Sequence, residues 1–564
     1  MALIHKLSAE LSNRIAAGEV VERPSAVVKE LVENAIDANA HFIDVSIKEG
    51  GISFIEVVDD GSGMDAEDAL LAFERHATSK ITNEQDLFEP HHLGFRGEAL
   101  PSIASVSRCT LYTQKLNSGT AVYIEYGKTV KSHSYSSPQG TRVVVENLFR
   151  NTPARLKHLK SPYYEASIII STMEKFALAN PHISFRLKDE DKILLNTSGS
   201  NQLKQVYTQV YGSQVGLYAH EFSFNDYDFS VKGIWVESHV NRANPYDILI
   251  FINSRMLRNH RLAKAVIEAY ADFIPSHRYP LAMLNITMDP KLVDVNVHPS
   301  KWEVRLSKEQ QLYYLIVDQL GLILHSFSQI KPTKQESVEQ VETVESIPLF
   351  DVSHFPVERK PLELEIQEEV KPLNKFPTLD LIGQMHGRYI LASSNEDLYW
   401  IDQHAAKERV NYEHILRELK EPTHQIDLLI PENIEVKLSF MKQFTEFEKE
   451  MSTLGLNLEA FSLNSFVVRS IPTWMQSLDL HHLLIDLVER FEAKETISQE
   501  KIREAVIATM ACHRSVRFNQ ALTKEDMNQI LNELSQCDQP FNCPHGRPTL
   551  IKVSVKQMWK DFER

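Results

Sequence analysis

The sequence predicts a multidomain protein that combines α/β and α+β folds. A chain of 564 residues is too long for a single hydrophobic core. Helix and strand patterns alternate densely from residue 1 to about 330, and globular character returns over residues 376–564. Between these parts, residues 331–375 carry five prolines, no glycine and many Glu and Val residues. This composition indicates a disordered, extended linker.

A second boundary is expected within the first part, near residues 210–225. Beyond it we predict a strand over Ile248–Ile252, a helix over Leu262–Phe273 and a strand over Leu281–Met288, joined by a crossover connection. The predicted domains are therefore 1–215, 216–330, the linker 331–375, and 376–564.

Composition limits the classes of function. The chain is 43% hydrophobic and 24% charged, as in soluble globular proteins, and no apolar run reaches the length of a membrane span. No secretory signal is evident, so we expect a cytoplasmic protein without membrane partners. A net charge of −16 argues against non-specific coating of nucleic acid but permits local basic patches. Two such patches are Arg150, Arg155, Lys157 and Lys160, and Arg255, Arg258, Arg261 and Lys264; for any one of these residues, ordinary surface charge is the simpler explanation.

The N-terminal part begins with a strong amphipathic helix, predicted over Pro24–Asp37. Proline suits the first turn of a helix. Glu30, Asn34 and Asp37 recur at helical spacing and form one polar stripe, which in isolation would equally suit a solvated face.

Glycine-rich segments follow and favour a ligand site over a solvated face. A strand over Ser53–Val58 leads into Asp59-Asp60-Gly61-Ser62-Gly63, where a carboxylate beside glycines can approach a ligand closely. Glycines at 94 and 97 precede a helix and can offer backbone N–H groups to phosphates, and Gly140-Thr141 marks a turn into a strand. Two other patterns are rejected. Residues 61–66 match a dinucleotide-binding pattern, but the two acidic residues before them would face the pyrophosphate. Residues 127–129 resemble the end of a P-loop, but Val122 occupies the position of its first glycine.

The C-terminal part contains two compact groups of potential metal ligands. His404 and Glu408 lie four residues apart, on one face of a helix that Asp402 would begin. Cys543 and His545 form a second pair near the end of the chain. The alternative is a capped helix with a solvated charged face, which leaves the Cys-x-His pair without a purpose. Three of the four cysteines (Cys109, Cys512, Cys537 and Cys543) lie at this end, which suggests metal ligation more than disulfides; Cys537 is better explained as a small apolar residue.

Several motifs together resemble those of a known family. Glu30-x-x-x-Asn34, Asp59-x-Gly61-x-Gly63, Gly94–Glu98 and Gly140-Thr141 are similar to the four ATP-site motifs of the GHKL superfamily of gyrase, heat-shock ATPases and histidine kinases. Residues 16–24, 75–80 and 151–155 narrow the resemblance to the MutL family of DNA mismatch-repair proteins. It implies a Bergerat-type ATPase sandwich, a ribosomal-S5-like second subdomain, the disordered linker, and an α+β C-terminal dimerisation and endonuclease domain.

The resemblance also implies roles for single residues. Glu30 would polarise the attacking water, Asn34 would hold Mg²⁺ and Asp59 would accept from the adenine amino group of ATP. Lys301 would reach the γ-phosphate from the second subdomain, so that ATP pulls two subdomains together. The remaining nucleotide-binding residues would be Gly61, Gly63, Thr78, Gly94, Phe95, Arg96, Gly97, Glu98 and Thr141. Asn39 replaces the usual glycine of the family, and because Asn tolerates positive φ we expect that turn to survive.

Residues 402–413 resemble the endonuclease motif of a subset of this family, with 511–514 and 543–548 as its companion segments. Implied as catalytic are Asp402 and Glu408, and the implied metal-binding residues are Asp402, His404, Glu408, Cys512, Cys543 and His545. Mixed S, N and O ligands suit Zn²⁺, whereas strand cleavage would more naturally use Mn²⁺ or Mg²⁺.

The sequence therefore predicts a homodimeric mismatch-repair protein that closes on DNA with ATP and nicks one strand. The mismatch sensor MutS would direct the nick. A sliding clamp and a repair helicase are further candidate partners. The clamp-binding pattern is matched imperfectly by Gln425–Pro431, with Gln425 and Leu428 as its contacts. Two alternatives stay open: an ATP-driven matchmaker without nuclease activity, whose metal site is structural, and another ATPase of the same superfamily. A nucleoid-associated location in the cytoplasm would follow from the DNA role.

Overall fold

The structure is a computed structural model. It describes residues 21–80, 97–116, 118–274, 278–294, 305–330, 376–394, 397–418, 424–476, 479–493, 507, 522–544 and 546–554. It divides into two compact units: Met1–Gly321 with Asn411–Ser515, and Leu322–Val410 with Val516–Arg564. This division does not test the domain boundaries predicted from the sequence, which stay predictions. Within the described residues, no helix has the length and apolar character needed to cross a membrane.

An eight-stranded sheet with helices packed on it forms the first part of the first unit. Its strands are β1 Phe42–Lys48, β2 Phe54–Asp59, β3 Arg108–Lys115, β4 Ser118–Glu125, β5 Lys128–Ser134, β6 Gly140–Glu146, β7 Ser184–Asp189 and β8 Lys192–Asn196. Their order is β5-β4-β3-β6-β2-β1-β7-β8, with β1 and β7 parallel and the other neighbours antiparallel. The helices of this part are α1 Pro24–Asp37, α2 Ala66–Leu71, α3 Ala99–Ser105, α4 Pro153–His158 and α5 Pro162–Ala179.

Helix α1 confirms the predicted bounds, Pro24–Asp37. It forms because proline begins it and because Val27, Val28, Leu31 and Val32 recur on one face, where all four are buried. Asn39, just beyond the helix, has a φ of 57°, so the turn survives as expected without glycine.

A five-stranded sheet carries the next part of this unit. The elements are α6 Leu203–Tyr211, α7 Ser213–Leu217, β9 Ala219–Asn225, β10 Phe229–Val236, β11 Asn241–Arg242, β12 Ile248–Ile252, β13 Arg255–Leu257, α8 His260–Ala269, β14 Tyr279–Pro280, β15 Ala282–Met288, β16 Val293–Asp294, β17 Arg305–Leu306 and α9 Glu309–Ile330. The sheet order is β13-β12-β15-β10-β9, and β12 and β15 are parallel. The strand predicted over Ile248–Ile252 is confirmed, and all of it is buried. The helix predicted over Leu262–Phe273 is found at His260–Ala269. It begins earlier because the Asn259 side chain accepts from the N–H of Leu262 and caps it, and it also ends earlier than predicted.

The remaining described elements lie beyond residue 376. They are β18 Asp380–Met385, β19 Tyr389–Ser394, β20 Asp397–Asp402, α10 Gln403–Glu418, β21 Gln425–Glu435, α11 Leu438–Met441, α12 Phe444–Ser452, β22 Leu458–Ala460, β23 Ser465–Pro472, α13 Leu480–Glu492, α14 Lys524–Ser535 and β24 Leu550–Ser554. One sheet has the order β18-β19-β20-β24 and the other has the order β21-β23-β22. The second sheet shares an apolar core with α11, α12 and α13, in which Phe440, Phe447 and Phe466 are fully buried.

Candidate functional site

Asp59 lies at the end of β2, where the first sheet offers a partly buried carboxylate. Its Oδ1 atom accepts from the backbone N–H groups of Gly61 (2.9 Å) and Thr141 (3.2 Å). Burial raises the pKa of Asp59 to about 6, and the two backbone donors only partly oppose this rise. Thr141 stands opposite Asp59 in the β2–β6 ladder. The structure therefore brings together Asp59, Gly61 and Thr141, as the sequence predicted.

Two glycines beside Asp59 are required by close backbone approach. A Cβ on Gly63, whose φ is +66°, would lie 2.0 Å from the carbonyl oxygen of Gln114. A Cβ on Gly140, whose φ is +125°, would lie 2.0 Å from the carbonyl oxygen of Asp59 itself. Both positions combine a left-handed backbone with backbone contact, so no other residue fits without displacing the strands that hold Asp59.

A lysine side chain contacts the polar stripe of α1. The ammonium group of Lys80 donates to Asn34 Oδ1 (2.9 Å) and to Asp37 Oδ2 (2.6 Å). Amide and carboxylate oxygens are also the ligands that Mg²⁺ prefers. The lysine thus shows that Asn34 and Asp37 together can hold a positive charge. Glu30 is half-buried one turn earlier in the same helix, with the Lys29 ammonium 4.0 Å from its carboxylate.

The segment that ends at Lys80 meets the start of α3. A Cβ on Gly97, whose φ is +61°, would lie 2.4 Å from the carbonyl oxygen of Ala77. Glu98 lies 3.8 Å from His76, and the Thr78 hydroxyl accepts from the N–H of Lys80 (3.1 Å). Thr78, Gly97 and Glu98 are therefore close to one another. Gly94, Phe95, Arg96 and Lys301 lie outside the described residues.

Sequence reasoning missed two cations near this stripe. Lys80 belongs to the motif 75–80, but the sequence assigned it no contact, because no neighbouring residue indicates that its side chain extends to α1. Arg255, on β13 of the second sheet, was read only as part of a basic patch. Burial lowers the pKa of Arg255, while the charges of Glu33, Asp37 and Glu30 oppose this effect. Its charge therefore acts on the acidic stripe of α1.

The C-terminal site begins at the junction of β20 and α10. Asp402 Oδ1 accepts from the N–H groups of His404 (2.9 Å) and Ala405 (3.0 Å), so the carboxylate caps the helix, a feature that the alternative of a capped, solvated helix had included. His404 Nε2 lies 3.1 Å from Glu408 Oε1, one turn along. Glu408 is only 2% exposed. The two predicted donors therefore share one face of α10.

A second loop lies against the same helix. Arg409 Nε donates to the carbonyl of Asn542 (2.6 Å), and the N–H of Asp402 donates to the carbonyl of Thr549 (2.9 Å). Between these contacts the chain turns tightly, with the N–H of Cys543 donating to the carbonyl of Arg547 (2.8 Å). Cys543 is 1% exposed. The chain on either side of Cys543 is thus anchored at one point to α10, which carries His404 and Glu408, and at another to the last residue of β20, directly before that helix.

The described residues alone do not complete a metal site. Among them, no group of three or more His, Cys, Asp and Glu side chains could hold an ion. Cys512 and His545 lie outside the described residues. The predicted set of six ligands therefore stays a prediction.

Comparison with known proteins defines the class first. A family model described as "Histidine kinase-, DNA gyrase B-, and HSP90-like ATPase" matches residues 22–152, the part that holds Asp59 and α1. The fold and this site therefore define a multidomain protein with an ATPase domain of that superfamily. A second model, "DNA mismatch repair protein, C-terminal domain", matches residues 207–325, and a third, "MutL C terminal dimerisation domain", matches residues 382–522.

The chain belongs to the MutL family of DNA mismatch-repair proteins. The protein named "DNA mismatch repair protein MutL" from Listeria monocytogenes is 40% identical, over 100% of this chain and 99% of its own length. The protein of the same name from Exiguobacterium is 40% identical over 100% of both chains. A solved "N terminal domain of a DNA repair protein" is 25% identical, covering 57% of this chain and 99% of its own, with a TM-score of 0.49. The "Aquifex aeolicus MutL ATPase domain complexed with ADP" is 24% identical over 53% of this chain and 98% of its own, with a TM-score of 0.37.

Proposed function

We propose that this MutL-family protein couples ATP binding and hydrolysis to closure on DNA, and that its C-terminal site nicks the strand to be repaired. The observation that carries the nuclease proposal is the junction at Asp402. There one carboxylate caps the helix whose next turn presents His404 beside Glu408. A site built at the end of a strand and the start of a helix is held rigidly, as catalysis requires.

For ATP hydrolysis, each residue of the proposed nucleotide site would have a separate role. Asp59 would accept from the adenine amino group, since its carboxylate is already held by two backbone donors. Asn34 would hold Mg²⁺ at the place where Lys80 now donates. The ion, when bound, would neutralise phosphate charge. Glu30 would act as the general base toward water, and Lys301 would contact the γ-phosphate from the second subdomain.

The donors present at the C-terminal site fit a divalent cation. Glu408 and Cys543 are buried, and an imidazole lies beside that carboxylate. Buried carboxylate, imidazole and thiol groups are typical ligands of Zn²⁺, and the carboxylates also suit Mn²⁺. We propose that His404, Glu408 and Cys543, with Cys512, His545 and Asp402, hold this ion, which when bound would supply Lewis acidity at the scissile phosphate.

The test is nicking of supercoiled plasmid by the purified chain with Mn²⁺. Asp402→Asn should lower nicking about 100-fold or more, since loss of a metal-site partner commonly costs this much. The helix should remain intact because Asn is as good a cap as Asp. Glu408→Gln should have the same effect. Lys407→Ala is the matched control: it lies on the same helix and pairs with Glu533 (2.8 Å).

Two results would change the proposal. Equal nicking by wild type, Asp402→Asn and Glu408→Gln would place the activity elsewhere. No nicking by wild type, with one zinc per chain retained and ATPase intact, would support the alternative of a non-nuclease matchmaker whose metal site is structural.

DNA would be held through its phosphates, without reading of sequence. The patch residues Arg150, Lys157 and Lys160 are exposed, as are Arg258, Arg261 and Lys264 of the other patch. The mismatch sensor MutS, a sliding clamp and a repair helicase are the partners proposed to direct the nick, and a cytoplasmic, nucleoid-associated location accords with this role.

A further inference from the structure

Part of the C-terminal sequence contacts both N-terminal subdomains. We define the bridging segment as the described residues 424–476 and 479–493, which belong to the same compact unit as residues up to 321. On the first subdomain, Lys442 pairs with Asp189 of β7, and Gln443 Nε2 donates to Ser167 Oγ of α5 (2.9 Å). The segment is therefore fixed to the ATPase sheet and its long helix.

The same segment contacts the second subdomain through helix α13. Arg278 Nη1 lies 2.6 Å from Asp486 Oδ2, and Arg242 Nε lies 2.9 Å from Glu489 Oε1. Glu489 also accepts from the N–H of Ala243 (2.9 Å). Just before α11, Lys437 pairs with Asp247. The bridging segment thus contacts both subdomains.

The chemistry of these contacts is that of a reversible interface. The buried apolar residues of the bridging segment form their own cluster around Phe440 and Phe466. Among the described residues, Leu438 is the side chain of the segment that packs, partly buried, on the N-terminal apolar cluster. Ion pairs and hydrogen bonds otherwise join the two, and their side chains are well shielded: Asp486 is 4% exposed and Arg278 is 19% exposed. Polar interfaces of this kind separate more readily than a shared hydrophobic core.

A packed path leads from this interface to the ATP site. Helix α11 packs on α5, and α5 packs on α1, which carries Glu30 and Asn34. Arg255 of the second subdomain acts electrostatically on the same stripe of α1. A change in the angle between the two subdomains would therefore alter contacts both at the ATP site and at the interface with the bridging segment.

We infer that the bridging segment is an autoinhibitory brake, which by gripping both subdomains holds them in the arrangement they have before ATP-driven closure. This inference rests on the proposed ATP-driven closure. ATP binding, by moving the second subdomain toward the phosphates, must break the contacts on one of the two sides. The brake therefore slows hydrolysis in the free protein and is released when nucleotide binds.

The first test measures steady-state ATP hydrolysis by the full chain without DNA. Asp486→Asn and Arg278→Gln each remove the charge of one partner of this ion pair and should raise the rate at least about fivefold, the lower end of ordinary allosteric coupling. The exchange of charges in the double variant Arg278→Asp with Asp486→Arg should return the rate toward wild type. Arg469→Gln is the matched control, since Arg469 pairs with Glu459 (3.0 Å) on the exposed surface of the same segment. Folded single variants with wild-type rates would overturn the brake.

The second test uses the wild-type chain, so it does not depend on how variants fold. A zero-length carbodiimide should couple Lys442 to Asp189, and mass spectrometry should detect that pair in the free protein. A non-hydrolysable ATP analogue should reduce its yield several-fold. Absence of the cross-link in the free protein, or an unchanged yield with bound analogue, would overturn the inference. Failure of the proposed function looks different: the wild-type chain would neither bind nor hydrolyse ATP.

Discussion

At the scale of single residues, the site depends on groups whose local surroundings shift their chemistry. Asp59 is an example, because burial raises the pKa of its carboxylate to about 6 although the backbone N–H groups of Gly61 and Thr141 oppose the rise. Lys80 is another, because its ammonium group already balances Asn34 and Asp37. In both cases the folded chain, and not the side chain alone, sets the charge at the proposed nucleotide site.

The Asp59 pKa predicts how nucleotide affinity depends on pH. A carboxyl group with a raised pKa is protonated below about pH 6 and then no longer accepts as an anion from the adenine amino group. ATP affinity should therefore fall about tenfold between about pH 7.5 and pH 5, since one pH unit below the pKa is a factor of ten. Fluorescent-nucleotide titration measures this. Asp59→Asn should bind more weakly and without this pH dependence; an affinity for wild type that is flat over the same range would contradict the prediction.

At the scale of elements, β21 is an edge strand with an interrupted ladder. Among the described strands it pairs with β23 alone, and its register shifts between Asp427 and Glu432. Within this interruption Leu429 is 99% exposed and Ile430 is 79% exposed. The Gln425 side chain instead donates to the carbonyl of Gly455 (2.8 Å). Gln425 is exposed as well, but Leu429 and Ile430 are the apolar side chains of this segment that a partner can reach.

This arrangement predicts which residues of β21 matter for clamp binding. In a pull-down with the sliding clamp, the double variant Leu429→Ala with Ile430→Ala should lose most binding, because exposed apolar anchors dominate such contacts. Gln425→Ala should bind nearly as wild type, since the Gln425 amide already donates to the carbonyl of Gly455. Equal capture of wild type and the double variant would show that this strand is not the contact.

At the scale of the whole molecule, one sheet face that is partly exposed among the described residues points to self-association. The β18-β19-β20-β24 sheet buries Ile390, Tyr399 and Ile401 on one face. On the other face, Trp400 stands between Leu391 and Ile551 in the ladder, and Ile551 is 58% exposed. The indole N–H of Trp400 has no hydrogen-bond partner among the described residues. We propose that a second copy of the chain covers this face, whose strands β19 and β20 lie within the residues matched by the dimerisation-domain model.

The corresponding prediction concerns oligomeric state. Wild type should sediment as a dimer at micromolar concentration, whereas Trp400→Glu should sediment as a folded monomer, because a charge in the centre of an apolar interface is costly. Tyr227→Glu, a fully exposed aromatic residue on the second subdomain, is the control and should remain dimeric. A dimer of unchanged stability for Trp400→Glu would place the interface elsewhere.

Some features followed from the sequence because their causes are local. Helix α1 has the predicted bounds, since a proline and a run of apolar residues at helical spacing are sufficient to begin it and orient it. The expectation at Asn39 held because backbone sterics depend on one residue. The capping of α10 by Asp402 is also local, because capping joins neighbours in the chain; the sequence offered it as part of the alternative of a capped helix with a solvated charged face. Family membership likewise followed from short motifs with specific spacing, and the comparisons confirm it.

Other features were decided only by the tertiary structure, because they join residues far apart in the chain. Nothing near Lys80 indicates that it reaches Asn34, 46 positions away. No pattern in 424–493 predicts ion pairs with Arg242 and Arg278. From sequence alone, a charged residue on a helix is taken to face solvent, because its partner is known only once the chain is folded. The sequence by itself determined the class of protein, its local elements and its candidate donors. Long-range packing decided which charges are buried and paired, since burial and pairing are properties of the folded chain.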